Sequence, residues 1–303
     1  MFEAMIQMAA LILCGVVWRL ATPGGQDALA MRTALTSLVY YLLLPALVLL
    51  VLWEAPLGAD SFKIALVAAA GILTSLLVVG WICRLCGMNQ ATRGAVMLAA
   101  SFPNATYLGL PVLVATLGVP ARSIAIQYDL FACMPLLLTV GIWVASKHGS
   151  NPQKQTSLQG VFKVPALWAA GIAVVLNLSD TSMPEGLSTW LKTLSNGVVP
   201  LMLISLGLSL KITREQLKVI RALIPALVIK LFFMPLVVLG LATLLEMEGM
   251  ILKAVVLEAA MPSMVIGLLL CDRYGLDSTL YAAIVTISTV LSFFTLGMWF
   301  SVV

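Results

Sequence analysis

Apolar stretches long enough to cross a membrane, separated by short polar connections, run the length of the chain. A helical span needs about 20 mostly apolar residues. Ten stretches fit: roughly 4–20, 33–53, 62–83, 93–117, 123–146, 165–178, 188–209, 220–245, 250–271 and 279–302, the sixth being short. The longest polar stretch, Lys147 to Lys163, divides them into two sets of five. The pattern predicts an all-α polytopic membrane protein. Residues 1–146 would be a first five-helix repeat, 147–164 a cytoplasmic connecting loop and 165–303 a second five-helix repeat.

Composition sharpens this. The chain of 303 residues is 61% hydrophobic and 10% charged, with a mean hydropathy of +1.08. A soluble protein is nearer about half apolar and about a quarter charged, and no soluble fold could hide so much apolar surface. The first stretch reads as a span rather than a cleaved leader, because Phe2-Glu3 opens it and Arg19 follows it. Cys14, Cys83, Cys86, Cys133 and Cys271 are scattered. Cys83 and Cys86 have CxxC spacing, but no second pair accompanies them, so a structural role is expected.

Charge adds orientation. Odd-numbered connections hold Arg19, Arg32, Arg84, Arg93, Lys147, Lys154, Lys163, Lys211, Arg214, Lys218, Arg221 and Arg273; even ones hold only Lys63, Arg122, Lys192 and Lys253. Basic residues favour the cytoplasm, which puts the odd connections inside and both termini outside. Five spans per half is an odd number, so the second half is inverted relative to the first.

The most informative detail is a pair of matching interruptions. Arg93-GAVMLAASFPNATYLGLP and Lys253-AVVLEAAMPSMVIGLLL align without a gap, bringing Pro103 opposite Pro262, 159 residues later. Proline lacks an amide proton and breaks a helix, and lipid tolerates such a break only where protein or a water-filled cavity covers it. Breaks at corresponding places in two halves point to the central site of a secondary transporter. Asn104, Thr106 and Ser263 follow the breaks, either capping the new half-helices or contacting a ligand as well. Two half-helix N-termini with free amides would suit a carboxylate. Gly109 and Pro111 would allow close packing with a further distortion. Pro45 and Pro200 sit at corresponding places in the second spans and read as kinks relieved by packing.

Three charges fall inside spans: Asp129, Lys230 and Glu258. Ionisable groups in lipid are costly and mark ion or substrate paths. Glu258 lies one turn before Pro262, where it could bind Na⁺ or take a proton; its counterpart is Ala99, so the site is not symmetric. A structural ion pair is the competing account. His148, beside Lys147, is expected to be solvated. No HExxH, Walker or GxSxG motif is present, so no enzyme, cofactor or metal is indicated, only possible coupling to H⁺ or Na⁺.

In these residues the chain resembles the auxin efflux carrier family, in its bacterial branch. The resemblance rests on Pro103-Asn104 with Gly109-Leu-Pro111, and on Glu258-AAMPS with Asp272-Arg-Tyr-Gly-Leu-Asp. It implies crossed, broken fourth and ninth helices in a transport domain of spans 3–5 and 8–10, and a scaffold of spans 1, 2, 6 and 7 that forms a homodimer. It also implies elevator-type transport of a small organic anion, with Pro103, Asn104, Thr106, Pro262 and Ser263 lining the site. The motifs are also compatible with the bile acid–sodium symporters. The plant members' long central loop is absent, so auxin is a poor candidate and small carboxylates are better ones. The expected setting is the bacterial inner (plasma) membrane, with the lipid bilayer and the anion as partners and no nucleic acid. The alternative from another class is a non-transporting membrane sensor on the same scaffold.

Overall fold

The computed structural model describes residues 2–150, 164–209 and 220–303. Among these residues the chain is helical, and the only strand-like feature is an isolated antiparallel bridge between Pro103 and Ser263. Residues 151–163, most of the expected connecting loop, lie outside the described set.

The helices in chain order are α1 (Phe2–Ala21), α2 (Ala28–Trp53), α3 (Ala59–Leu85), α4 (Gln90–Ser101), α5 (Ala105–Leu117) and α6 (Ala121–His148). They are followed by α7 (Pro165–Leu178), α8 (Glu185–Ser209), α9 (Leu223–Leu244), α10 (Gly249–Ala259), α11 (Gly267–Tyr274) and α12 (Ser278–Val302). Six of them, α2, α3, α6, α8, α9 and α12, are long and apolar enough to cross a membrane. Large apolar side chains such as Leu77, Phe62, Trp81 and Phe294 are exposed. Such outward surface suits lipid rather than water.

Asn89 and Asp277 cap α4 and α12 by accepting amide hydrogen bonds. Pro165 stands in the first turn of α7, where its missing N–H costs nothing. Inside the long helices, prolines are accommodated in a repeated way. Wide π-helical turns at Val39–Leu43, Ala105–Gly109, Asp129–Cys133 and Ile229–Phe233 are followed, after one intervening residue, by Pro45, Pro111, Pro135 and Pro235 respectively. A proline ring collides with the carbonyl four residues back, and widening the preceding turn relieves that collision. The fourth carbonyl before Pro235 belongs to Leu231, and the Trp299 indole donates to it at 2.9 Å. Pro200 is handled otherwise: a turn at Asn196–Gly197 interrupts α8, leaving Pro200 near the start of the second segment.

The chain packs as two compact units. The first contains α1, α2, α5, α7 and α8; the second contains nearly all of α3, α4, α6 from Gln127, and α9–α12. In the first, Gly15 and Gly207 let α1 and α8 touch backbone to backbone, as small residues do between helices in lipid. Its α7 end is tied to α2 by Asn177, which donates to the Trp53 and Ala55 carbonyls at 2.7 and 2.8 Å. In the second unit, Asp277 N–H donates to Ala91 and Ser150 N–H to Gly275, joining the ends of α4, α6 and α11. Lys63 reaches the Leu245 carbonyl at 2.8 Å, joining α3 to the end of α9.

One expectation is corrected here. Lys147 and His148 belong to the last turn of α6, and His148 is buried, its Nδ1–H donating to the Val144 carbonyl at 3.0 Å. Lys147, exposed, lies over the Trp143 ring instead. Helical periodicity simply continues past the apolar stretch, turning one of the two adjacent polar residues inward.

A methyl group on Gly207 would overlap the Ile12 carbonyl oxygen. Gly207→Ala should therefore destabilise the first unit by about 1–3 kcal/mol, the usual cost of overpacking. Thermal unfolding of the detergent-solubilised protein measures it, and an unchanged midpoint would contradict the close approach.

Candidate functional site

The two interruptions found in the sequence meet in the second unit. Helix α4 stops at Ser101 and α10 at Ala259, and the chain runs extended through Phe102 and irregularly from Met261 until helix resumes. The freed backbone groups pair across the crossing. Asn104 N–H donates to the Pro262 carbonyl at 2.8 Å, and Met264 N–H donates to the Phe102 carbonyl at 3.0 Å. These bonds form the Pro103–Ser263 bridge. They answer the requirement that buried backbone groups be satisfied inside the protein.

Neighbouring helices supply the remaining partners. Ser288 Oγ on α12 accepts from Ser263 N–H at 3.1 Å. Tyr281, also on α12, donates its hydroxyl to the Met264 carbonyl at 2.7 Å. Gly267 makes room for that tyrosine, since a Cβ there would overlap the phenol oxygen. Lys230 on α9 donates to the Ala259 carbonyl at 2.7 Å and to the Met234 sulfur at 3.1 Å. A cation at the C-terminal end of α10 offsets the partial negative charge of its last carbonyls.

The side chains at the crossing divide sharply into used and unused. Asn104 is 1% exposed, and neither its Oδ1 nor its Nδ2 has a hydrogen-bond partner. The same holds for both carboxylate oxygens of Glu258 and for Ser263 Oγ, all fully buried. Asn104 and Ser263 were expected to cap their own half-helices with their side chains, and this is corrected. Their side chains cap nothing, and their amides are already taken by Pro262 and Ser288.

The three intramembrane charges converge. Asp129 and Lys230 are each close enough to Glu258 for their charges to act on it. Tyr128 and Cys133 of α6 lie within the same reach of Glu258. The Cys133 thiol donates to the Pro103 carbonyl at 3.9 Å. Asp129 is 4% exposed and Lys230 fully buried.

The other expected residues group with the first unit. Thr106, half-buried, Gly109 and Pro111 belong to α5 and group with the first unit, as do Pro45 and Pro200. Pro111 is buried, whereas Pro45 and Pro200 are half-buried. Among the described residues no group of three or more His, Cys, Asp or Glu is placed to hold a metal ion.

Sequence reasoning missed Ser288, Tyr281, Cys133, and the buried Ser101 and Tyr128, whose hydroxyls have no partner. A signal for Ser288 and Cys133 existed. At the 159-residue spacing of the two breaks, Gln127, Asp129 and Cys133 correspond to Thr286, Ser288 and Ser292, and all six are buried. Ser288→Ala should strand the Ser263 amide and destabilise the protein by about 1–3 kcal/mol. The thermal midpoint in detergent reads this loss, and Ser288→Thr, which keeps a hydroxyl, should recover part of it.

The membrane transport protein family matches residues 2–300. An uncharacterized transporter of the archaeon Methanothermobacter thermautotrophicus is 29% identical over 307 aligned positions, covering 98% of this chain and 96% of the relative. An uncharacterized transporter of Methanocaldococcus jannaschii is 25% identical over 273 positions, covering 88% of this chain and 87% of the relative. With a match over essentially its whole length, this integral membrane chain belongs to the membrane transport protein family, that of the auxin efflux carriers.

Proposed function

We propose that the protein is a secondary active transporter that moves a small organic anion through the crossing of the two broken helices. The observation that carries this reading is the set of buried, unpartnered polar groups beside the Pro103–Ser263 bridge: Asn104, Ser263 and Glu258. Unsatisfied buried polar groups cost free energy, and a ligand that engages them recovers it. The Asn104 amide can donate to a carboxylate through Nδ2, and the Ser263 hydroxyl can donate as well. Glu258, Asp129 and Lys230 then form the charged group through which an ion gradient acts.

In this reading the chain crosses the membrane ten times as two inverted five-helix repeats. Both termini face outward from a bacterial-type inner membrane, and α4–α5 and α10–α11 are each a single broken span. The hydrogen bonds support that topology: Ala91, Ser150, Gly275 and Asp277 join three odd-numbered connections, whereas Lys63 and Leu245 join two even-numbered ones. Elevator-type alternation is supported by the division of the packing. Helices α1, α2, α7 and α8 group together, and α3, α4, α6 and α9–α12 group separately, with α5 joining the first set. The first set would be the scaffold and the homodimer contact.

The test is uptake and charge movement in proteoliposomes challenged with a panel of mono- and dicarboxylates. A carboxylate that the wild-type protein transports should be moved about tenfold or more slowly by Asn104→Ala, the loss of one charge-assisted hydrogen bond being worth about 1.5–3 kcal/mol. Transport left intact in Asn104→Ala would remove the crossing as the site. Absence of both uptake and current for every anion would remove the organic-anion reading.

A further inference from the structure

The first segment of α8 leads beyond the transport reading. The sequence marks 188–209 as one span, yet Glu185–Ser195 is separated from Val198–Ser209 by the turn at Asn196–Gly197. At about 3.6 residues per turn, Leu187, Leu191 and Leu194 fall on one side of this segment. Glu185, Gly186, Thr189, Lys192 and Thr193 fall on the other.

The apolar side is occupied. Leu191 is buried with Ala46 and Leu50 of α2, and Leu187, Leu194 and Leu49 pack against them. The polar side is open, its five residues all exposed. Trp190 stands at the boundary between the two sides and is 56% exposed.

The chain enters the segment from the tied ends of α2 and α7. Trp53 Nε1 donates to the Thr181 carbonyl at 2.7 Å, four residues before Glu185, beside the bonds from Asn177 to Trp53 and Ala55. The segment therefore starts at the membrane face where α2 ends. A helix descending from there would carry Lys192 and Thr193 roughly 10 Å into the bilayer, with their side chains turned outward. Thr189 and Thr193 return their hydroxyls to the Glu185 and Thr189 carbonyls, both at 3.0 Å. The exposed ammonium of Lys192 has no such recourse, and hydrocarbon accepts it only at high cost. Leucines on one side, open polar groups on the other and a tryptophan at the boundary suit the membrane–water interface.

We propose that Glu185–Ser195 lies along the headgroup layer of one leaflet, with its polar side and the Trp190 indole against phospholipid headgroups. The α8 span then begins only at Val198. The partner is the lipid surface, and contact with it fixes the depth of the first unit in the bilayer. The inference needs an integral membrane protein, but it does not depend on which solute is carried or where that solute binds.

Spin labels on Gly186→Cys and Thr193→Cys test this in nanodiscs of phosphatidylethanolamine and phosphatidylglycerol. Both positions lie on the polar side, seven residues and roughly 10 Å apart along the axis. A Cβ on Gly186 meets nothing within 4 Å. The exposed Cys14 and Cys86 are first replaced by serine, while Cys83, Cys133 and Cys271 are buried. Relaxation by oxygen, which enters hydrocarbon, and by a water-soluble nickel chelate gives the depth of each label. Both labels should sit at headgroup level, their depths agreeing to within about 3 Å, or two residues of helical rise. A label at 193 roughly 10 Å deeper than one at 186 is the signature of a spanning helix and overturns the proposal. Full access of both labels to nickel with no response to oxygen marks a water-filled cavity and overturns it as well. So does protection of both labels from both reagents, which marks cover by a second copy of the chain.

Discussion

The crossing depends on a single constraint: backbone hydrogen bonds lost to proline in mid-membrane cannot be recovered from water. Pro103 and Pro262 open two helices, and the exposed groups of each are satisfied by the other. The pair Asn104 N–H to Pro262 and Met264 N–H to Phe102 makes each break the partner of its counterpart. Neither break is tenable alone. This mutual dependence also explains why Ser288, Tyr281 and Lys230 gather around the crossing, each spending a side-chain donor or acceptor on a main-chain group that the two strands leave over.

Once the backbone is satisfied from within, the side chains of Asn104, Ser263 and Glu258 stand without partners in a buried place. A fold concerned only with stability would fill such positions with apolar residues at lower cost. Their presence marks where binding energy is available. The two breaks are not equivalent in sequence: at the 159-residue spacing that aligns Pro103 with Pro262, Lys230 and Glu258 correspond to Gly71 and Ala99.

Much of the helical frame was legible in the sequence because lipid imposes a length and a composition on each span. The short sixth stretch, 165–178, coincides with α7. The paired breaks were legible from Pro103 and Pro262, since proline acts locally and its consequences do not depend on distant contacts. What lay beyond reach were the partners. Nothing local to Asn104 announces that its amide goes to Pro262, so self-capping was the natural expectation and it failed. His148 was misread for a similar reason, as its burial depends on the rotation of a helix that continues past the apolar stretch. The convergence of Asp129, Lys230 and Glu258 needed the packing of three helices, although the repeat spacing already linked Asp129 to Ser288.

A cryo-electron microscopy map of the protein with a transported carboxylate bound tests the central claim most directly. Anion density between the Asn104 amide and the Ser263 hydroxyl, with the Asn104–Pro262 and Met264–Phe102 backbone bonds intact, is the predicted result. An anion bound elsewhere, with the side chains of Asn104, Ser263 and Glu258 still enclosed by protein alone, would contradict it.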